Sequence, residues 1–244
     1  MSYQMYVPPM TKINKALIFS SVAVFLIGSI AHAWLKIPMS LYLGLSFEGL
    51  MTGKVYQLVT YPFWQMGIFP LIFQSLILWW TGSELEQKWG QKFYLVFIAS
   101  TIVVTGFLFL LLSFVFNALG VLQGSVMIGM SGLTLALLFA YAMQYPDRQF
   151  SFFMLFPMPA KYFCLLLAAI EVYQILFSPF GSSLWGHLLG GLWGVGLIKY
   201  MSWKARPKTV RKSKSQLQAE ELRKSFKVIS TDKDDKNDGP KYWH

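Results

Sequence analysis

The chain has 244 residues, 55% of them hydrophobic and only 13% charged, with a formal net charge of +10. Soluble domains carry roughly a quarter charged residues, so this composition excludes an ordinary soluble domain and points to a polytopic membrane protein. Of the 21 Lys and Arg, 13 lie at or beyond Lys199; the basic excess belongs to a tail rather than to a nucleic-acid-binding face, and no nucleic-acid partner is expected.

Along the chain, residues 1–14 read as a short cytoplasmic segment. Lys12, Lys15, the apolar run after them and Ala31-His32-Ala33 imitate a secretory signal with a small-residue cleavage site. The run extends from about 16 to 37, close to the ~20 residues a spanning helix needs, so a retained first helix over 15–35 is expected. The connection 36–63 follows. With Leu41-Tyr42-Leu43-Gly44-Leu45 and Phe47-Glu48 it is too apolar for a solvated linker, and is expected to lie in the interface or against the bundle.

Further apolar segments cover 64–82, 93–116, 125–144, 161–179 and 183–202. Between the second and third runs the polar stretch Gly82-Ser83-Glu84-Leu85-Glu86-Gln87-Lys88-Trp89-Gly90, read as a short connection. The next connection, 117–124, is uncharged; the fourth runs from Tyr145-Pro146-Asp147-Arg148 to Pro159, and the fifth is a tight turn, Pro179-Phe180-Gly181-Ser182-Ser183. Residues 203–244 form a basic tail, expected to be disordered apart from a helical turn or two near 216–226. Next to a membrane helix such a tail marks the cytoplasmic side and attracts anionic lipid.

Charge asymmetry orients the whole. Lys12, Lys15, Lys88, Lys92, Arg148, Lys161 and the tail cluster fall on one set of connections, and only Lys36 and Lys54 on the other. The positive-inside rule then puts both termini in the cytoplasm and requires an even number of spans. The expected fold is an all-α bundle of six transmembrane helices over 15–202. The short chain, with no Arg/Ser-rich leader, fits a bacterial inner (plasma) membrane, with a eukaryotic organelle as the alternative. Oligomeric state is not legible.

Polar residues inside spans are costly and each needs a reason. Two motifs stand out: Gly129-Met130-Ser131-Gly132 in the fourth segment, and Gly186-His187-Leu188-Leu189-Gly190-Gly191 in the sixth. Both segments cross in the same direction, with Ser131 about six residues and His187 about five residues inside. At ~1.5 Å per residue the two share a depth of roughly 8–9 Å. Gly186, Gly190 and Gly194 form a small-residue ridge, flanked by Gly191 and faced by Gly129, Gly132, Ala136 and Ala140; such ridges let helix backbones approach in lipid. A hydroxyl and an imidazole within hydrogen-bond reach make an activated nucleophile. Taken singly, a membrane-helix serine is more often a packing or back-bonding residue, so the pairing carries the signal.

These motifs resemble the rhomboid family, whose members carry a G-x-S-G serine on the fourth helix and a histidine with a glycine ridge on the sixth. Ser131-Gly132-Leu133-Thr134-Leu135-Ala136-Leu137-Leu138, Pro157-Met158-Pro159-Ala160-Lys161-Tyr162, Leu58-Val59-Thr60-Tyr61-Pro62-Phe63 and Gly82-Ser83-Glu84-Leu85-Glu86 extend the likeness over about 150 residues, from near Lys54 to Lys199. The resemblance implies a serine endopeptidase that hydrolyses peptide bonds in or beside transmembrane segments of membrane-protein substrates. Ser131 would be the nucleophile and His187 the general base and then acid.

Four positions depart from the family pattern. Where helix two typically offers a His and, four residues on, an Asn to stabilise the oxyanion, this chain has Pro70 and Gln74. Gln74 keeps a carboxamide donor, whereas Pro70 donates nothing and is expected to kink the helix. An Arg common in the first connection is Gln57, and the aromatic often found four residues after the serine is Leu135. The alternative is therefore a catalytically silent rhomboid-like protein that binds or chaperones transmembrane helices. A transporter would need a continuous polar path, which the first and third segments do not offer.

No metal or cofactor is expected: HExxH is absent, and a single cysteine, Cys164, allows neither a disulfide nor a thiolate metal site. Glu171, the only acidic residue deep within a span, reads either as a partner that orients a polar group or as a protonated structural donor. Gln65 is placed near the outer mouth, along a water path. His32 and His244 read as incidental, and the tryptophans as interface anchors or packing.

Overall fold

The computed structural model describes residues 8–120, 125–152, 156–177, 181–204, 218 and 222. The chain divides into a unit Met1–Lys204 and a unit Ala205–His244. Gln218 and Leu222 are helical; the remaining expectations for the tail, and His244, lie outside the described residues.

The first unit is mainly helical, with two short strand ladders added to the expected all-α architecture. Helix α1, Lys12–Leu35, ends at Lys36, whose left-handed backbone (φ 55°) closes the last turn. Its inner face is held by polar contacts: Asn14 Nδ2 donates to Thr11 Oγ1 (2.8 Å) and Glu86 Oε2 (3.2 Å), and Tyr94 Oη donates to Asn14 Oδ1 (2.6 Å). Within the run that imitates a signal peptide, Ser21 and Gly28 are buried against the rest of the unit. Helices α1, α7 (Gln91–Ala118) and α9 (Ala160–Phe177) are each long and apolar enough to cross a membrane. They expose large side chains outward, among them Phe19, Ile27, Phe107, Leu111, Leu165 and Leu176, as expected where lipid is the solvent.

Residues 36–63 lie against the bundle, in α2 (Met39–Leu43), β1 (Leu45–Ser46), α3 (Phe47–Met51), α4 (Gln57–Thr60) and a 3₁₀ turn, Tyr61–Phe63. Gln57, fully buried, holds this segment together: its Nε2 donates to the carbonyls of Leu41 (3.0 Å) and Tyr42 (3.3 Å), and its Oε1 accepts from the Ser46 N–H (3.4 Å). Tyr61 Oη donates to the Ile102 carbonyl of α7 at 2.9 Å.

The second long helix joins α5 (Ile68–Ile77), a π turn (Leu78–Gly82) and α6 (Ser83–Trp89). The stretch 82–90, expected as a connection, is therefore helical up to Gly90, whose φ of +81° makes the turn into α7. Ser83, Leu85 and Glu86 are buried against the bundle, so tertiary packing keeps this polar stretch helical. The expected kink at Pro70 is absent. Pro70 falls in the first turn of α5, where a missing N–H costs nothing; the 96° bend between Gln57–Phe63 and Ile68–Trp89 comes before it, at 64–67.

Helix α8 is Ser131–Gln144, so it begins six residues later than the apolar run suggests. Val126–Met127 forms β2, antiparallel to β1 with Leu45 opposite Met127 and Ser46 opposite Val126. A hairpin of β3 (Gln149–Phe152) and β4 (Phe156–Pro159) leads into α9, and α10 is Gly181–Lys204. Nine residues of α8, from Gly132 to Tyr141, are buried: it is the central helix, packed against α5, α7, α9 and most extensively α10.

Gln57→Ala leaves two carbonyls and one N–H without their partner. It is expected to destabilise the protein by about 1–3 kcal/mol, read as a lowered thermal unfolding midpoint of the purified protein in detergent.

Candidate functional site

Gly129 shapes the entry to α8. It was expected among the helix-packing glycines, but it precedes the helix with φ +87°, a conformation that favours glycine, and its N–H donates to the Tyr61 carbonyl at 2.9 Å. Met130 then turns its N–H to Gln74 Oε1 (3.0 Å), while its carbonyl accepts the Thr134 N–H (2.8 Å) and starts the helix. Ser131 is consequently the first helical residue rather than one about six residues inside. Its depth follows from this turn, not from a count along a helix. The first N–H groups of a helix have no intrahelical acceptor and present positive potential, and Ser131 stands at that end.

Gln74 faces the serine from α5. The backbone N–H of Met130 must meet an oxygen, which fixes the amide orientation: Oε1 faces Met130 and Nε2 donates to Ser131 Oγ at 3.0 Å. Gln65 Nε2 donates to the same Oε1 (2.7 Å) and to the Pro62 carbonyl (3.3 Å). Gln65 is buried, so it braces Gln74 instead of lining an outer mouth. Sequence spacing could not pair them, because the chain bends between the two residues.

His187 comes from α10, which lies backbone to backbone with α8. A Cβ on Gly132 would stand 3.5 Å from His187 Cα; one on Gly190 would stand 3.0 Å from Gly132 Cα and 2.7 Å from Thr105 Oγ1; one on Gly194 would stand 2.9 Å from Ala136 Cα. Gly191 and Gly186 meet side chains instead, Leu135 and Phe139 in one case and Met127 in the other. Among the described residues neither ring nitrogen of His187 has a hydrogen-bond partner, so the Ser131–His187 hydrogen bond is not formed in this arrangement.

Ser131, His187 and Gln74 open onto one cavity of about 490 Å³ between α5 and α9, with α8 as its floor. Its walls are mostly apolar, including Phe69, Phe73, Leu167 and Ile170, and Pro70 lies on the rim with no donor to offer. Glu171, one of the few polar groups there, places Oε2 3.6 Å from His187 Nδ1. His32 is remote from this site, its Nδ1 3.0 Å from the Ile37 carbonyl. Among the described residues no group of three or more His, Cys, Asp or Glu is arranged to hold a metal.

A family model described as Rhomboid domain matches residues 52–204, more than half of the chain. Rhomboid-related protein 4 of Homo sapiens is 33% identical over 129 residues, which cover 51% of this chain and 39% of that protein. The match thus spans well under half the length of that relative.

Gly194→Ala and Gly196→Ala separate contact from helix propensity. At Gly194 the new methyl meets Ala136 Cβ at 2.7 Å, whereas at Gly196 nothing lies within 4 Å. Gly194→Ala is expected to lose about 1–3 kcal/mol through overpacking. Gly196→Ala is expected to be neutral or to gain up to about 1 kcal/mol, both read by thermal unfolding in detergent.

Proposed function

We propose, from the premise that this chain belongs to the rhomboid family, that it is an intramembrane serine endopeptidase acting on peptide bonds in or beside transmembrane segments of membrane-protein substrates. One observation carries the reading: Ser131 stands at the free N-terminus of α8, in the same cavity as His187 and hydrogen-bonded by the Gln74 amide.

The chemistry follows from these positions. The Gln74 amide donates to Ser131 Oγ and so leaves the hydroxyl proton for the imidazole, which removes it as Oγ attacks the scissile carbonyl. The oxyanion forms on the carbon that Oγ attacks, two bonds from Oγ, within reach of the Gln74 Nε2 protons and the unpaired N–H groups of the first turn. His187 then returns the proton to the leaving amine, and water hydrolyses the acyl-enzyme by the reverse route. Pro70, where the family offers a histidine, removes one donor; the loss of such a donor costs on the order of a hundredfold in rate.

The architecture in this reading is a six-span bundle of α1, α5–α6, α7, α8, α9 and α10, with residues 203–244 as a basic tail. At ~1.5 Å per residue α8 is only about 21 Å long, short of a ~30 Å hydrocarbon core. Its middle, from Gly132 to Tyr141, is buried by other helices, so a short span is tolerated where protein rather than lipid surrounds it. The lysine asymmetry places both termini in the cytoplasm and the tail against anionic lipid. The missing donor at Pro70 favours one second reading, a silent protein that holds a transmembrane helix in the same cavity.

Labelling with a fluorophosphonate serine probe in detergent distinguishes the two. Wild type is expected to label, Ser131→Ala and His187→Ala not to label, and Gln74→Ala to label on the order of a hundredfold more slowly. Folded wild type that stays unlabelled would establish the silent reading instead.

A further inference from the structure

We propose that Glu171 positions His187, so that the pair Ser131–His187 operates as a Ser–His–Glu arrangement. The inference rests on the hydrolase reading above and adds a third residue to it. In this arrangement the carboxylate of Glu171 accepts the Nδ1–H of His187, and the unprotonated Nε2 is left for the hydroxyl of Ser131.

Geometry carries the assignment. Leu167, Ile170, Glu171 and Gln174 all line the catalytic cavity, and their spacing of three and four residues puts them on one face of α9. Glu171 therefore points at the site and not at lipid. Its Oε2 lies 3.6 Å from His187 Nδ1. Among the described residues, Glu171 Oε2 and both His187 nitrogens are buried with no hydrogen-bond partner. Glu171 Oε2 and His187 Nδ1, two orphaned polar atoms 3.6 Å apart, account for each other, because buried donors and acceptors in folded proteins find partners. Among the described residues no other carboxylate lies within 4 Å of His187.

The chemistry needs such a partner. Leu135, at the position after the serine where the family often carries an aromatic, lines the same cavity and supplies only methyl groups beside α10. Nothing polar in α8 holds the imidazole plane. A 3.6 Å separation exceeds a hydrogen bond and closes with a side-chain rotation of less than about 1 Å; such bonds are commonly long in the unoccupied enzyme and tighten with substrate. Once formed, the bond selects the tautomer with Nε2 free and stabilises the imidazolium that appears when Ser131 loses its proton. That proton moves from Oγ to Nε2 and on to the leaving amine. The Nδ1 proton stays on the ring and Glu171 remains a carboxylate throughout.

The competing account is a protonated Glu171 that serves as a structural donor, and Glu171→Gln separates the two. A carboxamide keeps a donor of the same shape but removes the charge. Full-length protein in detergent is compared as wild type, Glu171→Gln, Glu171→Asp and Glu171→Ala for the fluorophosphonate labelling rate and for thermal stability. Glu171→Gln and Glu171→Ala are expected to label about a hundredfold or more slowly while remaining folded, and Glu171→Asp to recover part of the rate. Wild-type labelling by Glu171→Gln overturns the proposal.

A second measurement needs no reaction. In a Ser131→Ala background with His32→Gln and His244→Gln, His187 is the one histidine left of three, and nitrogen-15 NMR reads its ring. The Nδ1–H resonance is expected to be present and to move on Glu171→Gln. A ring protonated on Nε2 alone, or a resonance indifferent to Glu171→Gln, overturns the pairing. Wild type that never labels overturns the hydrolase reading, while the ring resonance still decides the Glu171–His187 bond.

Discussion

The close approach of α8 and α10 is the constraint on which the rest depends. With Gly190 against Gly132, and Gly194 against Ala136 one turn further along, the two backbones leave no room for a Cβ at either glycine. In lipid no hydrophobic force drives helices together, so surface fit and small residues must do it. That contact brings His187, on the face of α10, to the cavity onto which Ser131 opens at the start of α8. A larger residue at Gly190 or Gly194 meets the backbone of α8 and pushes the two helices apart.

A second layer of hydrogen bonds fixes the other side of the serine. The chain from the Pro62 carbonyl through Gln65 and Gln74 to Ser131 Oγ runs from the bend before α5 to the start of α8. It shares anchors with the turn at Gly129, whose N–H is held by Tyr61. Tyr61 is in turn held to α7 through Ile102. The first connection therefore contributes directly to the site, because its 3₁₀ turn supplies the carbonyls on which the Gly129 loop and Gln65 rest. Gln57 supports that connection from within by tying α2 and β1 to α4.

Placing polar groups in this interior has opposite consequences in two places. At one end of the bundle Asn14, Thr11, Glu86 and Tyr94 satisfy one another and lock α1 to α6 and α7. In the cavity, His187 and Glu171 are left unsatisfied at short range. The first network is closed and holds helices together; the second is open, and on the hydrolase reading proposed above its unpaired nitrogen is what a proton transfer would use.

The sequence by itself determined the membrane class, the apolar segments and the glycine ridge, and it singled out Ser131 and His187 as candidates, because composition, run length and four-residue spacing are local quantities. It also singled out Gln74, through the motif around Gly82. Only the tertiary structure decided where α8 begins: residues 125–130 are as apolar as a helix requires, yet a ladder with residues 45–46 and the left-handed turn at Gly129 hold them extended. The same holds for 82–90, polar enough to read as a connection but kept helical by the burial of Ser83, Leu85 and Glu86. For Gln65 the sequence suggested a water path and for Glu171 it left two roles open, since their partners lie beyond a 96° bend in one case and on another helix in the other. Periodicity reports which face of a helix is apolar; which polar group meets which depends on how the helices pack.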